Sequence, residues 1–309
     1  MSASAYVPSH LVEPLPEFRE DYEAAVRMGR ANLRWSSVAF VGLARNCAGP
    51  LAGNLERFTR LADLCGAWTL HVETNDNTDA TAQVLDAFCE GHQQASYRDQ
   101  TLGRQQFSAE FAGPRTAALA EYRTACQQWV AEHAADTDYT VIIDWDAWGG
   151  WSHDGFLNGI GQLVAIGGAF GMASVSLLEY PVMAMDEQRK PTLTKGWVHY
   201  DCWALRGVGQ PACYWDAYTN GVGGWAHQWL PPVGSPPVVV ASAFGGLCVY
   251  RTDDYLMATY RGETDCEHVS AHRSIAERTG RRLYINPSSR TIMRWMTEEA
   301  TDGGRNGND

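Results

Sequence analysis

The residues Val141-Ile142-Ile143-Asp144-Trp145-Asp146 run an apolar stretch into two carboxylates with one residue between them. Side chains two apart on a strand point to the same side, so both carboxylates can meet at the end of the strand. Two carboxylates that close repel unless one takes up a proton or a cation sits between them. A hard divalent ion with oxygen ligands resolves the repulsion, and its open positions can take diphosphate oxygens. A helix N-cap followed by a solvated turn acid gives the same short pattern. Its place at the end of a buried apolar run favours the metal reading.

A second group is Asp265-Cys266-Glu267-His268-Val269-Ser270-Ala271-His272. It puts two carboxylates and two imidazoles before or at the start of a helix. His268 and His272 are four apart and would share a helix face. Glu267 has the chemistry of a general base if it reaches an acceptor hydroxyl, and Asp265 is the alternative. A helix start built around a structural histidine explains the same residues.

The elements that must position these groups alternate. Val38 to Leu43, Trp68 to Val72 and Tyr139 to Ile143 read as buried strands, with helical patterns over Asn54 to Cys65, Thr78 to Cys89 and Arg115 to His133. Such alternation implies an α/β fold with a mostly parallel, Rossmann-like sheet covered by helices, and ligands at the carboxyl ends of its strands. Further strands are expected at Val238 to Val240 and Arg282 to Ile285. The division expected is an N-terminal arm with a helix (1–37), one domain (38–296) and a disordered, Gly/Asn/Asp-rich tail (297–309). Within the domain, 38–150 would be the nucleotide half and 151–296 the acceptor half.

The bulk composition sets limits. The 309 residues carry a formal net charge of -12, which opposes a broad nucleic-acid footprint. Eight cysteines include no C-x-x-C pair, so a zinc ribbon is not indicated and reduced thiols of a cytoplasmic protein are expected. No basic segment followed by an apolar one opens the chain. Phe156 to Leu178 lacks charge and is long enough to span a bilayer. Gly167-Gly168 and several polar residues break it, so a buried helix followed by a core strand is expected, with no membrane span.

Taken in order, these segments resemble glycosyltransferases of the GT-A fold, over about residues 38–290. Asp144-Trp145-Asp146 resembles their D-x-D motif. Val41-Gly42-Leu43-Ala44-Arg45-Asn46 resembles the first-strand loop that cradles the nucleotide. Glu73-Thr74-Asn75-Asp76-Asn77-Thr78-Asp79 resembles the segment after their second strand, and Arg115 to Arg123 the helix before the D-x-D strand. Phe244-Gly245-Gly246-Leu247 and Cys266-Glu267-His268-Val269 resemble acceptor-side and late metal-side segments. Fungal capsule mannosyltransferase-like enzymes and their bacterial relatives are the nearest group in this resemblance.

The resemblance implies a UDP- or GDP-sugar donor, a sugar or other hydroxyl acceptor, and Mn²⁺ or Mg²⁺. It implies metal ligation by Asp146, a ribose or metal-water contact for Asp144, and a third ligand at His268. Ala44, Arg45, Asn46, Glu73, Asn75, Asp76, Arg115, Asp144 and Trp145 are then the donor-binding candidates.

Each has a structural alternative. Arg45 is also an ordinary strand-end arginine. Asp76 and Asp79 also cap a helix near Thr78. Arg115 follows Gly113-Pro114 at a helix N-terminus, where anions are favoured, while Arg123 also suits a solvated helix face. Trp145, Trp148 and Trp151, with Trp203, Trp215, Trp225 and Trp229, offer faces for sugar stacking or ordinary core. Two other functions account for the carboxylate pair or the aromatic residues: a nucleotidyltransferase or phosphohydrolase, and a non-catalytic sugar-binding module.

Overall fold

The computed structural model describes residues 7–107, 113–185, 187–209 and 225–295. The tail at 297–309 and Trp215 lie outside them. Short 3-10 turns at Ser9–Leu11 and Pro16–Phe18 lead into α1 (Arg19–Leu33). Then come β1 (Ser37–Ala44), α2 (Ala48–Ala62), β2 (Ala67–Asn75), α3 (Thr81–Gly91), β3 (Ala95–Gln100), α4 (Pro114–His133) and β4 (Tyr139–Asp144). The second half holds β5 (Gly150–Trp151), α5 (His153–Ala165), β6 (Ala169–Met185), β7 (Pro191–His199) and α6 (Trp225–Gln228). It ends with β8 (Val238–Val240), β9 (Leu247–Arg251), α7 (Thr252–Tyr255), α8 (Glu267–Thr279) and β10 (Arg282–Arg294).

One ten-stranded sheet runs through both halves in the order β3-β2-β1-β4-β9-β6-β10-β5, with β7 on β6 and β8 on β10. β1 to β4 are mutually parallel, β9 inserts antiparallel between β4 and β6, and β6 and β10 are parallel again. Six strands therefore point one way, and β5, β7, β8 and β9 oppose them. This is the α/β fold with a mostly parallel, helix-flanked sheet expected from the alternation.

Strand β1 shows why the layers form. Val38 and Phe40 face a core built with α1, α2, α3 and α5, while Ala39 and Val41 face α4 and α8. The alternation of two explains this split, and burial on both faces explains the unbroken apolar run. The uncharged stretch from Phe156 divides as expected: α5 ends at Ala165 and β6 begins at Ala169. Among the described residues no helix is long and apolar enough to cross a membrane.

The N-terminal helix is packed onto the domain: α1 lies against α5 with Tyr22, Ala25, Gly29 and Leu33 buried. A Cβ at Gly29 would stand 1.9 Å from the Leu157 carbonyl oxygen, and one at Gly161 2.0 Å from that of Ala25. Gly161→Ala should therefore lower stability by about 1–3 kcal/mol through overpacking. The urea midpoint should fall at unchanged m. Gly167→Ala, which meets open space, should stay within about 0.5 kcal/mol. Equal midpoints for the two variants would contradict the close helix contact.

Candidate functional site

In the parallel part of the sheet the chain runs outward from β1 to β2 and β3, then returns to place β4 on the other side of β1. β1 and β4 thus flank a topological switch point, where the loops at the carboxyl ends diverge and leave a crevice. Arg45 and Asn46 follow β1, and Asp144 to Asp146 end β4 and begin the turn after it.

Asp144 is the last residue of β4, and its backbone N–H donates to the Gly246 carbonyl at 2.9 Å. The strand stops there, so the turn, rather than strand alternation, positions Asp146. Trp145 anchors that turn. Its ring is fully buried, edge-on to Phe58 at 5.9 Å and to Trp151 at 6.0 Å. The Asn54 amide clamps the carbonyls of Trp145 and Ala147 at 2.9 and 2.7 Å. The Trp145 side chain faces the core, and the carboxylates on either side of it are the reachable groups.

Asp146 is exposed, yet the surrounding protein and the Asp144 charge push its carboxyl up to about 6. Asp144 is 28% exposed and accepts from Arg123 Nη2 at 2.6 Å. Arg123 lies on α4 and is only 3% exposed, so it does not belong to a solvated helix face. Its Nε also lies 3.8 Å from Glu267 Oε1, and its guanidinium sits over the Phe244 ring. One buried cation therefore joins the D-x-D carboxylate to the start of α8.

Glu267 is buried at the first residue of α8. Burial pushes its carboxyl up to about 7 against the opposing pull of Arg123. His268 stacks on Phe244 with centroids 4.0 Å apart; neither ring nitrogen makes a well-formed hydrogen bond, and Nε2 lies 3.4 Å from Glu267 Oε1. Burial and the Arg123 charge hold its pKa well below the usual histidine value. His272, one turn on, is satisfied by Ser242 and Tyr250, each at 2.8 Å. Asp265 accepts from Arg206 Nη2 at 2.5 Å and from the Cys266 N–H at 2.8 Å.

A further acid, Asp201, joins this group from beyond β7. It accepts from the Gly245 N–H at 2.7 Å and the Ala204 N–H at 3.3 Å. Burial raises its pKa, and the Asp144 charge adds to the rise. It fixes the Gly245-Gly246 turn, where both residues have positive φ and a Cβ at Gly245 would stand 2.1 Å from the Ser174 carbonyl oxygen. No spacing motif in the sequence marks Asp201.

Arg123→Ala should leave Asp144 and Glu267 without their shared counter-charge. Removing one partner of a buried pair typically costs about 3–5 kcal/mol, and the partial exposure of Asp144 places the expected loss near 3 kcal/mol. Chemical denaturation reads it directly. A loss below about 1 kcal/mol would show that Arg123 does not hold the two centres together.

The remaining candidates lie in or after β1 and β2 and at the start of α4. Asn46, at φ 49°, bridges them: its N–H donates to Asn77 Oδ1 at 3.0 Å, and its own Oδ1 accepts from the Thr78 N–H at 2.7 Å. Ala44 is buried at the end of β1. The Arg45 guanidinium donates to the carbonyls of Arg104 and Gln105 at 2.5 and 3.3 Å. Asp76 accepts from the Asn75 amide and from the N–H groups of Leu102, Gly103 and Arg104, which hold its carboxyl down at about 2. Asp79 accepts from the N–H of Thr81, the first residue of α3, at 2.9 Å and from the Ala48 N–H at 3.0 Å. Glu73 is buried; hydrogen bonds from His71 and Arg98 outweigh its desolvation and lower its pKa. Arg115, in the first turn of α4, lies over the Trp203 ring.

Among the described residues no three His, Cys, Asp or Glu side chains stand together as a ready-made metal site. Asp144, Asp146 and His268 are thus not a preassembled triad. The carboxylate pair still suits a Mg²⁺-type ion, which takes one or two carboxylates and completes its shell with substrate phosphates and water. Asp146 is the accessible member, and the mutual repulsion of the pair is what a cation would relieve.

No protein-family model matches the chain, and no curated protein does. Solved structures resemble it at low identity. One is a mannosyltransferase from Pyrobaculum calidifontis in complex with GDP-Man and Mn²⁺, at 12% identity and TM-score 0.45, covering 89% of this chain. The chain spans 66% of that protein's length. Another is a glucosyl-3-phosphoglycerate synthase from Mycobacterium tuberculosis in complex with Mn²⁺, UDP and glucosyl-3-phosphoglycerate, at 14% identity, TM-score 0.45, and coverage of 90% and 77%. A third is S. aureus TarS with UDP-GlcNAc, at 9% identity, TM-score 0.43, and coverage of 86% and 61%. With TM-scores below 0.5, none of these likenesses says what this chain binds or does.

Proposed function

We propose that this chain is a metal-dependent glycosyltransferase that moves a sugar from a UDP- or GDP-sugar to an acceptor hydroxyl. The observation that carries the reading is the carboxylate pair Asp144 and Asp146 at the β1/β4 switch point, facing a second acid–imidazole centre at the start of α8. Residues 38–150 then serve the nucleotide and 151–296 the acceptor. The seven free thiols among the described cysteines support a reducing, cytoplasmic setting.

Asp146, with Asp144, would hold Mn²⁺ or Mg²⁺, and His268, whose Nε2 lies 3.4 Å from Glu267 Oε1, is the candidate for a further ligand. When bound, the cation would neutralise the diphosphate leaving group. Arg45 and Arg115 supply positive charge on the donor side. Arg123 orients Asp144 and keeps Glu267 from being wholly protonated at neutral pH. Glu267 would take the proton from the acceptor hydroxyl as the glycosidic bond forms. Among the tryptophans of this region, Trp148 is 51% exposed beside the carboxylate turn and offers a face to a sugar. The net charge of -12 disfavours a nucleic-acid acceptor.

A thermal-shift panel of UDP- and GDP-sugars, each with and without Mn²⁺, tests the reading. One donor class should raise Tm only when Mn²⁺ is present. Stabilisation by free sugars alone, with no response to any nucleotide, would replace the enzyme reading with a sugar-binding one.

A further inference from the structure

Away from the carboxylates, β10 carries a buried arginine whose charge no acid answers among the described residues. Arg290 is 1% exposed, and its Nη2 donates to the Pro231 carbonyl. Its Nε and Nη1 have no hydrogen-bond partner, and burial alone pulls its pKa down to about 10. An arginine taken out of water without a carboxylate or other anion is among the least favourable arrangements in a protein interior.

A second unsatisfied donor stands on the same face. Arg290 pairs in register with Val175, and His199 with Leu177. Val175 and Leu177 are two apart on β6, so Arg290 and His199 project to one side of the sheet. His199 is also 1% exposed, and both of its ring nitrogens lack partners. Burial and the nearby Arg290 charge lower its pKa, so the ring is neutral and keeps one N–H. Trp229 lies against this ring, and the Gly234 N–H donates to Ser288 Oγ nearby. The stretch after α6 thus covers both side chains.

We propose that Arg290 and His199 bind a small monovalent anion of halide size beneath residues 229–234. The group offers N–H donors and a full positive charge, which is the recognition chemistry of an anion. Water could satisfy the N–H groups but would leave the charge unanswered. The near-complete burial of both side chains selects an ion small enough to enter through local opening, and disfavours phosphate. Thr291, next to Arg290 and on the opposite face, donates to the Gly245 carbonyl in the Gly245-Gly246 turn, whose Gly246 carbonyl accepts from the Asp144 N–H. The anion would therefore brace the strand behind the site without touching substrate.

The test compares Tm in sodium chloride and sodium gluconate at equal ionic strength. Chloride should raise Tm by about 2–4 °C, bromide should act likewise, and phosphate should not. Arg290→Met, which fills similar volume without charge, should lose the chloride response. Equal Tm in chloride and gluconate, or an unchanged chloride response in Arg290→Met, would overturn the proposal. If Arg290→Met does not fold, chloride NMR line-broadening decides on the folded wild type and His199→Phe. Excess broadening by the wild type that the variant reduces supports the site, and no excess broadening rejects it.

Discussion

Asp146→Asn is expected to abolish divalent-dependent donor turnover, with a loss of about a thousand-fold or more in kcat/KM. The mutation removes the accessible carboxylate of the pair and leaves the turn intact, because Trp145 and Asn54 hold that turn from the core side. Folding should not suffer. The Asp146 carboxyl is raised to about 6 in the folded chain. Its ionisation therefore opposes folding, progressively from its unfolded value near pH 4 up to about pH 6. The neutral amide is free of that term at neutral pH, so the metal-free variant should be as stable as the wild type or slightly more so. What should vanish is the Mn²⁺-dependent part of the nucleotide thermal shift. Unchanged Mn²⁺-dependent binding in the variant would remove Asp146 from the metal and move the proposed centre elsewhere.

Glu267→Gln should act on a different step. Donor and metal binding should survive, while kcat falls by about a hundred- to ten-thousand-fold. The amide keeps the shape of the side chain at the start of α8 but cannot take the acceptor proton. In the wild type a base must be ionised, so kcat should rise with pH through about 7 and then level off. That rise should be absent from the residual activity of the variant. Asp265 is the other acid of this segment, but Arg206 and the Cys266 N–H hold one of its oxygens. Near-normal turnover in Glu267→Gln would leave Glu267 as the partner of Arg123 at a helix start. Anomeric analysis of the product by NMR would then separate a retaining transfer from an inverting one that uses another base.

The strands that place the carboxylates were legible because they are buried on both faces. Val38 to Leu43 is an unbroken apolar run and Tyr139 to Ile143 is interrupted only by the buried Thr140, and both lie at the centre of the sheet. β3, at one edge, reads Ala-Ser-Tyr-Arg-Asp-Gln, and β7 is exposed over most of its length. Neither carries an apolar pattern, because an edge strand needs no buried face. β10 continues well past Ile285 through Asn286 and two serines, where register shifts against β6 admit polar residues.

The site was legible as two separate motifs, and what joins them was not. Arg123 looks like any helix arginine until the fold sets Asp144 and Glu267 around it. Asp201 has no neighbours in sequence that mark it, and its role depends on the distant Gly245 turn. Trp145 lies inside the motif, yet its indole is fully buried as the wedge that holds the turn. Asp79 is engaged by the Thr81 N–H at the start of α3, as a capping residue is, whereas Asp76 holds the distant loop after β3 through the N–H groups of Leu102, Gly103 and Arg104 and caps no helix near Thr78.

The most direct test of the central claim is product analysis. The chain is incubated with Mn²⁺, a panel of UDP- and GDP-sugars and a mixture of sugar acceptors, and the nucleotides are separated by ion-exchange chromatography. Free nucleoside diphosphate should accumulate with one donor class, should require the metal, and should be absent with Asp146→Asn. Release of sugar 1-phosphate with the nucleotidyl group joined to an acceptor would mean nucleotidyl transfer, and nucleoside monophosphate with sugar phosphate would mean hydrolysis of the diphosphate. Either result would contradict sugar transfer at the Asp144–Asp146 pair.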